Sequence, residues 1–596
     1  MPKRLPHLSF VICHLSLPLL ALAAAPQSPP VQLTDNGPTV TLSNGLISFT
    51  AAKADATIRD MHLGDSPNLA GRGAYFAVVN SGGHDGWDVH NAAFKIVRQS
   101  PDLVELSFDA PIGHIHFDQH YILRRGDSGF YVFVVMKHAA ADPPESNEQI
   151  RWSFYLNNQL FNFQQSTDKE QGLIPNMPGG KSVQDATTQY PDGTIYTKYN
   201  YVNYIEEDDV HGICGDSSHG GGKYGAYIVM PSKEYLQAPT KQDITVHGGP
   251  IIHRFLVSGH FEPRELTRQP ITGDWTKLNG PWFVYLNSGP TPQAMWADAK
   301  AQFKNQESQW PYQWMQNPDY PLQRADITGT LTLDPSHAPA KNALIVLTQP
   351  SPPAADWQVE TLNYIFSARA DDTGHFTLQH VRPGSYTLYA MIPGVTDQFR
   401  KDDITVPPPT SASGTLNLGD LHFTPTTYAE KIFQIGDANW RATGFNMSDL
   451  PRQYGFTDPS GAARPWTSKI PANLDFTIGK SDPAKDWYVA QANPGNWTIH
   501  FTLPSVPQGN AILTLGIAGQ TRNPSLEILA NDKPIGDYKG GNSSAAYRSA
   551  IQGSSYHETK IFKFPTSSLH PGENTLTLHL TGGVINYDCI KLELDH

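Results

Sequence analysis

The sequence predicts an all-β protein built as three successive units, and three observations carry that prediction. Only 17% of its 596 residues are charged, while Gly and Pro number 49 each. Apolar and polar residues alternate with period two over much of the chain, as half-buried strands require. Turn signals such as "SNG" at 43–45 and "PDG" at 191–193 punctuate the alternation. Long helices would produce neither the glycine and proline content nor that period.

Residues 1–25 read as a secretory signal: Lys3 and Arg4, an apolar stretch from about Leu8 to Leu22, then small residues at Ala23–Ala25. The stretch is too short for a membrane span. The expectation is a secreted protein, extracellular or periplasmic, with no membrane partner. From Val31, "VTLSNGLISFTAA", "DLVELSFDA", "GFYVFVVM", "YGAYIVM" and "PWFVYLNSG" read as strands. "TPQAMWADAKAQFKNQ" (291–306) reads as a helix closing the first unit, with Thr291 as cap and Pro292 at the first helical position. "WPYQWMQNPDYPLQ" (310–323) reads as a linker. "RADITGTLTLD", "ALIVLTQ", "GHFTLQHVRPGSYTLYAMIPG" and "GTLNLGDLHF" then suit a compact sandwich of about a hundred residues, with "PPPTSAS" (407–413) as a surface loop. From "YAEKIFQIG" to the closing "INYDCIKLEL" the strand content suits a jelly roll. The units are placed at 26–321, 322–425 and 426–596.

The net charge of −13 opposes binding to nucleic acid. An acidic substrate then requires a local basic groove. Cys13 lies in the signal, and Cys214 and Cys589 are far enough apart to fall in different units as free thiols.

Several clusters could carry chemistry. "GHIHFDQHY" offers His114, His116 and His120 to a metal or simply makes a polar strand face. "SSHGGGKYG" (217–225) lacks phosphate-loop spacing and reads as a flexible loop. "HGGPIIHRFLVSGHFEP" brings His247, His253 and His260 within one short segment whose Gly248, Gly249 and Gly259 permit close approach of a ligand. Lys198 sits among tyrosines in "IYTKYNYVNYIEEDDVHG". If 195–205 is one strand, Tyr196, Lys198, Asn200 and Tyr204 share a face. Glu206 and Asp208 then lie roughly 26 Å and 33 Å from Lys198, beyond the ~8–10 Å screening length. The acids therefore need not hold the amine protonated. Trp440, Trp487 and Trp497 read mostly as core.

These segments, with "NGLISFT", "GWDVHN", "ILRRGDSGFYVFVV", "DFTIGKSDPAKDWYVAQ" and "INYDCIKLEL", resemble polysaccharide lyase family 4, the rhamnogalacturonan endolyases. The resemblance implies a large mutarotase-like β-sandwich holding the active site, a fibronectin-III-like domain and a carbohydrate-binding-like jelly roll. It implies β-elimination at the rhamnosyl-α-1,4-galacturonic acid bond of rhamnogalacturonan I. The family's catalytic lysine falls on Lys198 in "KYNY", upstream of "VHG", and its catalytic histidine on His260 in "LVSGH". The arginine that binds the substrate carboxylate falls on Arg151 in "IRWSFYL". The chain departs from fungal members of the family at Tyr155, where they carry a second arginine, and at His253 and Phe255, where they carry tyrosines. Tyr155, His253, Phe255 and His247 are thus expected to contact substrate. With Arg151 to neutralise the carboxylate, no metal or other cofactor is expected in the chemistry, and a structural Ca²⁺ in the third unit is left open. A monomer is expected. A glycoside hydrolase using the acids of "EEDD" (206–209) and Asp216, a non-catalytic pectin-binding protein and a sugar epimerase remain as alternatives.

Overall fold

The computed structural model describes residues 28–81, 89–175, 178–184, 187–193, 195–197, 199–258, 268–350, 356–408, 413–448, 456–457, 463–464, 469–506, 508–541 and 556–595. The expected signal peptide lies outside the described residues.

The first unit is a face-to-face pair of nine-stranded sheets. The centre of one sheet is made by Ala70–Asn80, Asn147–Leu156 and Ile251–Val257, with Asp243–His247 and Tyr199–Val202 continuing to its edge. The other sheet includes Leu103–Ile112, Ile115–Arg124, Gly129–His138 and Trp275–Ser288. Alternation decides what lies between them. Phe76, Trp152, Phe154, Ile252 and Leu256 point inward and are buried. Trp152 meets Trp282 at 6.1 Å and Phe130 at 6.5 Å, and Phe76 meets Phe117 at 4.9 Å. Each such ring contributes roughly 1.5–3 kcal/mol by burial. Slipping the Asn147–Leu156 strand by one residue would expose Trp152 and Phe154 and bury Arg151, so the register is strongly fixed. The residues between them in sequence, Arg151, Ser153 and Tyr155, must therefore face outward.

The expected helix forms as Pro292–Glu307, with the Thr291 hydroxyl accepting from the Ala294 amide at 3.2 Å. Met295, Trp296, Ala299 and Phe303 pack it on the outer face of the second sheet. The segment 310–323 is no simple linker. Trp310, Tyr312, Met315 and Tyr320 are buried in the same cluster, and Tyr312 stacks on Trp314 at 4.8 Å. Its aromatic content drives it onto the sheet rather than into solvent.

The second unit pairs two four-stranded sheets, one containing Arg324–Leu333, His375–Val381 and Ser413–Phe423, the other Leu344–Thr348, Ile365–Arg369, Gly384–Met391 and Gln398–Val406. Its core is continuous with that of the first unit. The third unit is one seven-stranded sheet folded on itself through two very long strands, Asn510–Ala530 and Gly572–Asp595. These pair along their length with register shifts around Gly516–Gly519 and Thr521–Leu526, where the ladder bends. Trp487 and Trp497 are buried in its core, and Trp440 stacks between Trp357 and His557 where the second and third units meet. Cys214 and Cys589 are buried free thiols. No helix among the described residues is long and apolar enough to cross a membrane.

Candidate active site

The outward face of the first sheet gathers the expected binding residues. Register places Tyr75, Ser153 and His253 in one cross-strand row, Ala77, Arg151 and Phe255 in the next, and Gly73, Tyr155 and Ile251 on the other side. His247 pairs with Ile251 and so joins the same face. Arg151 and Tyr155 are half-buried, whereas His253 and Phe255 are buried. His253 packs against His247 at 5.7 Å and Phe255 at 5.3 Å, and its Nδ1 lies 3.0 Å from the Ser153 hydroxyl. Of the segment's glycines, Gly249 has φ +133° and serves the turn between the two histidine-bearing strands.

Tyr155 stacks on Tyr75 at 5.7 Å and 15°, and the Arg72 guanidinium lies 5.2 Å from the Tyr155 ring. Burial, then the hydrogen bond with Tyr155, pushes the Tyr75 phenol well up, so it stays neutral and polar. Arg72 and Arg151 bring two guanidinium groups close enough to Tyr75 to favour its ionised form against burial. The sequence had pointed to neither Arg72 nor Tyr75. Their only signal is the alternation of "AGRGAYFAVV", which puts an arginine and a tyrosine where a core strand has none to spare.

Lys198 and His260, the expected catalytic pair, both lie outside the described residues. Their chain neighbours bracket the face. Tyr199 pairs with His247 at one end, and Ser258 follows the strand Ile251–Val257 at the other, with Arg151 between those ends.

The single strand expected over 195–205 is two. Ile195–Thr197 belongs to a small three-stranded sheet, and Tyr199–Val202 joins the edge of the nine-stranded one. Tyr196 and Asn200 both donate to Gln164 Oε1, at 3.0 Å and 2.6 Å, which fixes the chain on either side of the break. Tyr204 does not share their face. It is buried under the Arg441 guanidinium at 3.5 Å, before the short turn Ile205–Glu207.

That turn changes the reading of the acids. Glu206 bonds Arg369 and Arg441, Glu207 bonds Arg441 at 3.2 Å, and Asp209 bonds Lys233. Asp208 is fully buried between His211 Nδ1 at 2.8 Å and Arg254 at 3.0 Å, and Arg254 also pairs with Asp243. Burial opposes ionisation of Asp208, but the charges and hydrogen bonds of His211 and Arg254 hold it below the usual carboxylate range. His211 Nε2 in turn lies 2.8 Å from the His253 carbonyl oxygen. Asp208 is therefore scaffolding behind the His253 strand, while Glu206 and Glu207 tie the first unit to Arg369 and Arg441 of the other two. Asp216 caps a short turn through Ser218 and bonds His219 at 2.8 Å, so "SSHGGGKYG" begins as an ordered turn rather than a free loop.

The histidines of "GHIHFDQHY" do not converge. His114 precedes its strand, His116 is exposed beside Asp109 at 3.6 Å, and His120 is buried between Glu105 and Asp118. Among the described residues, a possible exposed metal-binding triad is instead Asp334, His337 and His422, in the second unit.

Three family models match the chain. The rhamnogalacturonate lyase family covers residues 18–202, domain II of polysaccharide lyase family 4 covers 337–413, and the CBM-like domain III of that family covers 431–592. A rhamnogalacturonate lyase of Dickeya dadantii (strain 3937) is 31% identical over 97% of this chain and 96% of its own length. A probable rhamnogalacturonate lyase B of Neosartorya fischeri is 26% identical over 95% of this chain and 97% of its own. Among solved structures, a galactose mutarotase-like protein of Lactobacillus casei ATCC 334 aligns with 42% of this chain and 100% of that one, at 11% identity and a TM-score of 0.26, a likeness too slight to bear on the assignment.

Proposed function

Because this chain belongs to the rhamnogalacturonate lyase family, polysaccharide lyase family 4, we propose that it cleaves the rhamnosyl-α-1,4-galacturonic acid bond of rhamnogalacturonan I by β-elimination. The observation that carries the site assignment is the common outward face of Arg151, Tyr155, His253 and His247, flanked by the chain neighbours of Lys198 and His260.

The elimination has three tasks. Arg151 neutralises the galacturonate carboxylate, which lowers the cost of negative charge developing at C5. A guanidinium suits this because its fork matches a carboxylate. Lys198 takes the C5 proton, for which its amine must fall about two to three units from its reference value near 10.4. His260 gives a proton to the departing C4 oxygen. The double bond between C4 and C5 forms as the C4–O bond breaks, so no water is consumed. Tyr155, half-buried and backed by the stacked Tyr75 ring, offers the aromatic face on which a sugar ring rests, with Arg72 at its margin. Since Arg151 carries the carboxylate's charge, EDTA is expected to leave turnover largely intact.

The tied-up acids of 206–209 favour this reading over a hydrolase, which needs two carboxylates facing one bond. Digesting purified rhamnogalacturonan I and weighing the products tests the choice. Elimination gives fragments lighter by one water than hydrolysis does. Full-weight fragments contradict the lyase, and an undegraded polymer with saturable binding favours a pectin-binding protein. We further propose that the chain is secreted and acts as a monomer.

A further inference from the structure

The second unit carries three metal-type ligands that the proposed elimination does not use. Arg324–Leu333 runs parallel to Ser413–Phe423, with Thr332 opposite His422 and Leu333 opposite Phe423. The next residue, Asp334, donates its amide to the Phe423 carbonyl at 2.8 Å. This holds the 334–337 turn against the end of the other strand. Asp334 Oδ1 then lies 3.4 Å from His337 Nδ1 and 3.5 Å from His422 Nδ1. The three ligand atoms fall within 4.8 Å of one another.

Two features set this apart from ordinary surface polarity. The Asp334 Oδ1 atom is itself buried and has no hydrogen-bond partner among the described residues. An acceptor in that position is under-satisfied; of the two imidazole nitrogens it faces, His422 Nδ1 also lies 3.2 Å from the Thr332 hydroxyl, which a bound ion would displace. The spacing also fits a shared ion. Ligands bound at about 2.0–2.2 Å in a tetrahedral arrangement stand roughly 3.3–3.6 Å apart, which matches the separation of Asp334 Oδ1 from each of the two imidazole nitrogens. The two imidazoles remain solvent-accessible, with side-chain exposures of 74% at His337 and 53% at His422.

We propose that Asp334, His337 and His422 bind a zinc-class divalent transition metal, with an open fourth position facing solvent. The donor set selects against Ca²⁺, which takes six to eight oxygens, and suits the borderline metals that accept imidazole. Bound there, the ion would staple the 334–337 turn to the final residues of Ser413–Phe423, where the chain leaves for the third unit. It would act on stability rather than on the chemistry of the first unit.

The test uses full-length protein stripped with EDTA and dialysed free of it. Calorimetric titration with Zn²⁺ should show one saturable site that Ca²⁺ does not displace. Co²⁺ at that site should give the visible absorption of a tetrahedral complex. His337→Asn, which keeps a residue tolerant of the left-handed backbone found there (φ +54°), and His422→Val should each weaken Zn²⁺ binding at least tenfold. His579→Ala, in the third unit, should leave binding unchanged. Melting curves with Zn²⁺ should shift upward in the wild type and not in the first two variants. Absence of saturable binding, or binding that survives both replacements, overturns the proposal.

Discussion

Arg151 owes its position to its neighbours. Trp152 and Phe154 are locked into the core, so the residues alternating with them, Arg151 included, face outward. Lysine at 151 would retain the charge but lose the fork. Arg151→Lys should lower kcat/KM about ten- to hundredfold, the loss of one charged hydrogen bond worth roughly 1.5–3 kcal/mol, while the melting temperature stays put. An unchanged kcat/KM would remove Arg151 from carboxylate binding. His260→Asn should cost more activity than His247→Asn, whose Nδ1 lies 2.8 Å from the Gly248 carbonyl oxygen in the turn; steady-state rates in the reverse order would reassign the proton donor. Lys277 is a useful contrast. Burial pushes its amine down to about 8, as a base would require, yet it points away to the Thr361 carbonyl at 3.0 Å in the seam with the second unit. Lys277→Met should therefore leave kcat intact. A lowered amine qualifies as a base only where substrate can reach it.

At the scale of strands, the outward face of the first sheet depends on a charged layer behind it. Asp208, His211, Arg254 and Asp243 are all buried, and they hold the backbone of the strand that presents His253 and Phe255. Removing one member leaves a charge uncompensated in the interior. Asp208→Asn should destabilise the fold by roughly 3 kcal/mol, measured as a lowered denaturation midpoint at unchanged slope; a midpoint within error of wild type would mean the layer is dispensable. This layer also shows where reading the chain reached its limit. Period-two alternation located strands of the facing sheet and the hairpin at 39–52 but not the strand Ile251–Val257, which is buried on both sides and so shows no alternation; the histidine-rich segment alone flagged it. The partners of the acids of 206–209 could not be read locally, because pairing with Arg254, Arg369 and Arg441 is a long-range fact that no local pattern encodes. The segment 310–323 looked like a linker because its prolines and polar residues hide four buried side chains at irregular spacing. The division of 195–202 between two sheets was invisible for the same reason: both segments have strand character, and only their pairing with Thr187–Gln189 and with Asp243–His247 assigns them to different sheets.

Across the whole molecule, the first two units share one core and are joined by Glu234, which bonds both Arg324 and Arg382 in full burial. Burial opposes the charge on Glu234, but the two guanidinium groups hold its carboxyl below its ordinary value of 4.5. The linkage has a definite sign. A depressed folded value means that the unfolded chain binds the proton more readily, so this stabilisation is complete above about pH 4.5 and is lost as pH falls through the folded value. Glu234→Gln should flatten the acid limb of the stability–pH curve, and an unaltered acid limb would mean the joint contributes nothing there. The third unit is attached by the stack of Trp357, Trp440 and His557 and by Arg441 on Glu206 and Glu207, which fixes it beside the first unit. The account as a whole stands on the amine at position 198 working beside Arg151. The most direct measurement is the ultraviolet absorbance of the unsaturated uronide during digestion of rhamnogalacturonan I by wild type and by Lys198→Ala, with polymer binding followed in parallel. The account predicts a rising signal for wild type and none for the variant at undiminished binding; a variant that still generates the chromophore would contradict it.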